Sequence, residues 1–167
     1  MSEPRATRPH MPGYGLPEGD EGLMPWSWAE QRLSNGHNYW LATTRPDGRP
    51  HLMVVWGLWH QGTFYFSTGR HSRKARNLQV NAHCVFAVEH EAEAVIVEGA
   101  AREVADVRLR KQLLSLFEAK YNYDMSSMEE DVLAMKEPIY AVDPARAFGL
   151  DEKTTLSTAT RWRFERS

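Results

Sequence analysis

From His37 onward the chain alternates short β-rich stretches with turn signals, and this succession limits the fold more than any other feature. "HNYWLATTR" favours a strand, "PDGR" a turn, "PHLMVVWGLWH" a second strand, "QGT" another turn and "FYFST" a third strand, which together predict a meander. Gly57, inside the second run, marks either a bulge or a close approach to the backbone. Ser72 to Val80 reads as a short helix, and "HCVFAVEH" and "EAVIVEGAAREV" read as two further strands. Asp106 is placed to cap a longer helix, "VRLRKQLLSLFEAKY", whose Leu109, Leu113, Leu116 and Phe117 share one face. A second helical piece follows around Met128 to Met135. "PIYAVDPARAFGLD" reads as a strand with a proline break and "TRWRF" as a short final one. Five or six antiparallel strands with few helices predict a small barrel, mostly β with some α.

At 167 residues the chain is expected to form one domain. Met1 to Gly22 holds four of the nine prolines and four of the eleven glycines with no apolar period, so residues 1–24 are expected as a flexible N-terminal arm and 25–167 as the domain. Ser27 is placed to cap a short helix through Leu33, with Glu30 completing a capping box. Cys84 is the single cysteine, which excludes an intramolecular disulfide, and the polar, proline-rich start does not resemble a signal peptide. No apolar run approaches the ~20 residues that cross a bilayer. These features lead us to expect a soluble, cytoplasmic protein.

Charge is unevenly distributed. Between Asp47 and Glu89 there is no acidic residue, yet Arg49, Arg70, Arg73, Lys74 and Arg76 fall inside that interval, which carries +5 in a chain of net charge -2. The remainder carries -7, so positive charge is segregated rather than interspersed. The cluster sits where a strand ending in Ser67 and Thr68 passes through Gly69 into a helix that begins near Ser72. A helix start offers free N–H groups and partial positive charge, and Arg70, Arg73 and Lys74 add full charge. This predicts an anion cradle suited to a phosphate. Nucleic acid is the weaker reading, because aromatic residues are not interleaved with the basic run as stacking platforms.

Other constellations carry less. The seven histidines show neither an i, i+4 helical pair nor a Cys-x-x-Cys partner, so no metal site is expected. Cys84 lies in a strand-like run and reads as a buried small hydrophobe rather than a nucleophile.

The run "LATTRPDGRPHLMVVWGLWHQGTFYFSTGRHSRKARNLQVN" resembles the pyridoxamine 5'-phosphate oxidase-like split barrels, and the likeness extends from about Trp26 to the C-terminus. It rests on a set of motifs: "TTRPDGRPH", "FST", "SRKARNL", "VIVEGAA" and "ATRWRF". The resemblance implies a six-stranded antiparallel split β-barrel with flanking helices. It also implies a homodimer that binds FMN, or alternatively the deazaflavin coenzyme F420, between its subunits. The anion would then be the cofactor's phosphate, held by Arg73 and Lys74, with Phe66 and Ser67 as strand-end contacts. His51, Leu52, Met53, Val54, Val55 and Trp56 would form the strand beneath the isoalloxazine ring. Trp162 and Arg163, with Arg161 beside them, correspond to a C-terminal segment that reaches the flavin site from the same or the partner subunit.

The chain departs from the oxidase proper in having no Arg-x-His near its end and Trp56 where that enzyme has a lysine, which turns the expected substrate away from pyridoxine phosphate. The implied function is an FMN- or F420-dependent oxidoreductase acting on another small organic molecule. The alternative is a protein that binds or stores flavin, or haem held by an axial histidine, without turnover.

Overall fold

The computed structural model describes residues 3–154 and 157–165. In chain order the elements are β1 (Arg5–Thr7), α1 (Trp26–Asn35), β2 (Asn38–Thr44), β3 (Pro50–His60), β4 (Thr63–Ser67) and α2 (Arg73–Val80). There follow β5 (His83–His90), β6 (Glu93–Glu103), α3 (Val107–Tyr121), α4 (Ser126–Leu133), β7 (Ile139–Asp151) and β8 (Thr160–Arg163). Strands β4, β3, β2, β5, β6 and β7 pair in that order, and β7 returns to β4, closing a six-stranded antiparallel barrel flanked by four helices. Closure removes most of the exposed edges that a short open sheet would present.

The alternation read from the sequence becomes an inside and an outside. Tyr39, Leu41, Val55, Phe64, Phe66, Phe86, Val95 and Val97 are all buried in one core cluster, and the Phe64 and Phe86 rings stack with centroids 4.0 Å apart. Each large side chain so buried contributes roughly 1.5–3 kcal/mol relative to exposure. A second cluster lies between the barrel's outer face and the helices, where Leu58, Tyr65, Ile139 and Ala141 meet Leu113, Leu114, Phe117 and Val132. The Asp106 carboxylate starts α3 by accepting from Arg108 N (2.8 Å) and Leu109 N (3.4 Å), and α3 ends at Asn122 in the left-handed region with φ 48°.

Three expectations need correction. The lead-in expected to be a flexible arm instead contributes β1, which pairs with β8, and its Arg8 guanidinium donates to the carbonyls of Ser157, Ala159 and Glu21. Ser27 does not cap α1, because the helix begins two residues earlier than that cap requires, at Trp26, with Pro25 at the cap position; the Glu30 carboxylate instead accepts from Trp59 Nε1. The proline in the last long strand does not break it. Pro144 sits opposite Gly99 at a register shift, and β7 continues beyond it.

Gly57 lies in a regular ladder with β4 and is there for close approach: a Cβ at this position would come 2.2 Å from the Phe64 ring. Among the described residues, no helix is long and apolar enough to cross a membrane.

Candidate functional site

Strand β3 changes partner halfway along. Pro50 to Trp56 pair with β2, whereas Gly57 to His60 pair with β4, so the first half has one edge without a strand partner among the described residues. Beside that edge β4 ends at Ser67, a short turn follows, and α2 begins. A cleft of about 640 Å³ opens there. Val54, Val55 and Trp56 of β3, Ser67, Thr68 and Gly69 of the turn, and Lys74 of α2 line it on one side.

Ser72 caps α2, its Oγ accepting from Ala75 N at 3.2 Å. The Ser72 N–H donates to Gly69 O, while the N–H groups of Arg73 and Lys74 have no partner among the described residues. Neither side chain forms an ion pair with a described carboxylate. Burial lowers the Lys74 pKa. His51, on β3, feels the same field: burial lowers its pKa first, and Arg45, Lys74 and Arg73 lower it further. His51 Nδ1 lies 3.4 Å from Thr43 Oγ1, which accepts from the buried Asn77 Nδ2 at 3.0 Å, so a polar chain ties α2 to β2 and β3. The Arg45 Nε and Asn77 Oδ1 atoms are buried with no partner. The Lys74 ammonium and the N–H groups of Arg73 and Lys74 are donors without partners among the described residues and fit an anionic group such as a phosphate, whereas the Asn77 Oδ1 acceptor would need a donor.

Other residues named from the sequence take different places. Arg70 is committed: its guanidinium pairs with Glu103 at 2.8 Å and donates to the carbonyls of Met135 and Lys136, and its backbone N–H donates to Glu137 Oε2. Arg110, fully buried, shares Glu103 and donates to the carbonyls of Val104, Val132 and Glu137. Arg70 therefore braces the turn and is not a free cation for a ligand. The hydroxyls of Ser67 and Thr68 already donate to Pro138 O and Ser72 Oγ.

Phe66 is wholly inside the barrel. Leu52 and Met53 are exposed on β3 but do not line the cleft. Trp162 is 0 % exposed, packed on Trp26 and Trp28, so within its own chain it closes the core rather than meeting a ligand. Arg163 is exposed on β8, in register with Arg5 and Arg146.

The opposite wall of the cleft escaped the sequence reading. Leu114 and Phe117 of α3, Val132 and Met128 of α4, and Tyr123 and Met125 between the helices complete it. Helical periodicity marks a face as apolar but does not say what lies across from it. Arg45 escaped because it precedes Asp47, just outside the acid-free interval. Cys84 is buried, and burial pushes its thiol up to about 12, which removes it as a nucleophile at neutral pH.

Residues 29–149 match the family model described as pyridoxamine 5'-phosphate oxidase. No curated protein matches the chain. Among solved structures, the chain is similar to a conserved hypothetical protein from Mycobacterium tuberculosis, with TM-score 0.68 and 21 % identity over 90 % of this chain and 96 % of that one. It is similar to an F420 reductase, with TM-score 0.60 and 22 % identity over 77 % and 98 %. It is also similar to the heme storage protein HutZ from Vibrio cholerae, with TM-score 0.55 and 18 % identity over 71 % and 87 %. Likenesses at this identity show a shared fold.

Proposed function

The chain belongs to the pyridoxamine 5'-phosphate oxidase family, and from that premise we propose that it is a flavin-type oxidoreductase acting on a small organic substrate. FMN is the favoured cofactor and coenzyme F420 the alternative. Such a group, when bound, supplies hydride or electron transfer. The chain's own residues bind and orient it. Lys74, Arg73 and the free N–H groups of α2's first turn take the phosphate, and Ser67, Thr68 and Ser72 hold the turn in shape. The unpaired edge of His51 to Trp56 offers backbone N–H and C=O groups to the polar rim of a ring. The observation that carries this reading is that one cleft brings together Lys74, which has no ion-pair partner among the described residues, and the unpaired edge of β3 at Val54 to Trp56.

Two copies pair, on this reading, through the outer face of β2 and β3, where Trp40, Leu52 and Val54 are exposed together. Arg163 then serves the partner's site. With Arg70 committed to Glu103, the cations left at the cradle are Arg73 and Lys74, which suits FMN's single phosphate monoester better than a longer anionic tail.

The deciding experiment is an absorbance spectrum of the purified protein followed by titration with FMN and with F420. One of them binds stoichiometrically, and the Arg73→Ala, Lys74→Ala double variant weakens it by about 3 kcal/mol, on the order of 100-fold in Kd. Unchanged affinity for both cofactors in that variant removes the assignment. A coloured protein inert towards every acceptor and donor turns the reading to storage.

A further inference from the structure

The cleft has two chemically different ends. Its charged side chains are Lys74 and Glu137, and both lie at the turn between β4 and α2, where Arg70 N–H occupies the Glu137 carboxylate. The wall across from β3 is Leu114, Phe117, Tyr123, Met125, Met128 and Val132, with no cation and no carboxylate among them. Its rim stands in water, with Trp56 39 % exposed, Tyr123 51 % and Met128 37 %, whereas Leu114, Phe117, Met125 and Val132 are buried at its base. Contiguous exposed apolar surface in a concave site marks a place where something apolar binds.

Trp56 gives the compartment a flat floor. Tyr121 stacks on one face of its indole, with centroids 4.4 Å apart and planes 9° apart, and Tyr123 meets it edge-on at 5.5 Å. The pose is held from below, because Tyr121 Oη accepts from Gly57 N at 2.7 Å and Lys120 Nζ donates to Gly57 O at 2.8 Å. The indole is therefore a fixed platform. The side chains of this wall offer a ligand carbon, sulfur and aromatic surface, with the Tyr123 hydroxyl as their one polar group. A charge placed against it would be desolvated without a partner. Unbranched methionines allow the wall to adapt to more than one outline.

We propose that the compartment between Trp56 and the α3–α4 wall is the substrate subsite and takes an uncharged, planar aromatic molecule. The assignment rests on the cofactor reading above for its use in a reaction, but the binding itself is testable separately. The cation end and the strand edge supply what an anionic, polar-rimmed cofactor needs; the helical wall supplies what a neutral ring needs.

The test compares 2-naphthamide with 2-naphthoate, which share a ring and differ in charge. Binding is measured by calorimetry on the full chain, either with cofactor bound or, without it, in phosphate buffer that occupies the cation end. The amide binds about tenfold or more tighter than the carboxylate. Met128→Glu and Tyr123→Ser, both at exposed positions, each weaken the amide about tenfold while cofactor affinity stays within about twofold. Equal or tighter binding of the carboxylate overturns the proposal, as does unchanged amide affinity in both variants. A change in molecular mass in Met128→Glu, with amide affinity intact, assigns the wall to a subunit contact instead. Absence of cofactor uptake sinks the oxidoreductase reading alone, because amide binding to the cofactor-free chain still decides the compartment.

Discussion

Two basic residues of the same acid-free stretch, Arg70 and Lys74, stand in opposite surroundings, and local partners explain why. Arg70 finds Glu103 and two carbonyls within hydrogen-bond reach, whereas Lys74 faces a cleft. A third cation, Lys120, illustrates how burial sets protonation. It donates to Tyr39 Oη and Gly57 O, and burial lowers its pKa from 10.5 to about 8. The unfolded chain still holds this proton between pH 8 and 10.5 while the folded protein has lost it, so Lys120 makes stability rise with pH across that window. Tyr39 and Tyr121, whose pKa values burial raises, act the other way only as pH passes their ordinary value of 10. Urea midpoints at about pH 7.5 and 9.5 should therefore show a gain of about 1 kcal/mol in the native sequence, discounted for partial exposure, and no such gain in Lys120→Met.

At the scale of elements, the turn between β4 and α2 is held from outside. Arg70 joins it to Glu103 at the end of β6 and to the segment after α4, and the buried Arg110 binds the same carboxylate from α3. The helical pair thus does two things: it covers the barrel and it shapes the cradle. Arg70→Ala should lower the unfolding free energy by about 1–2 kcal/mol, measured by denaturant titration, because Glu103 and the two carbonyls lose a charged donor. Arg73→Ala, at an exposed position in α2 with no described ion pair, should leave stability within about 0.5 kcal/mol and act on ligand affinity alone. Equal destabilisation by both would contradict the division of labour.

At the scale of the whole molecule, the barrel leaves an exposed apolar area on β2 and β3, where Leu52 is 56 % and Trp40 47 % exposed. A 19.2 kDa chain of this kind should sediment at twice that mass. Leu52→Lys, which places a charge in the proposed contact without touching the barrel core, should halve the observed mass in sedimentation equilibrium. Retention of the full mass in the variant would place the contact elsewhere.

The strands, the helices and the strand-to-helix basic site were legible in the sequence because each depends on neighbours along the chain: alternation, turn residues, the Ser72 and Asp106 caps, and a stretch free of acids. The motif set also carried the family. What sequence could not supply were distances between residues far apart in the chain. That Glu103 neutralises Arg70, that Tyr121 stacks on Trp56, that Trp162 fills the core and that α3 and α4 wall the cleft all follow from barrel closure. Residue type and order fix a local conformation through short-range sterics and hydrogen bonds. Which charges meet, and which remain free for a ligand, is decided only when burial brings distant segments together.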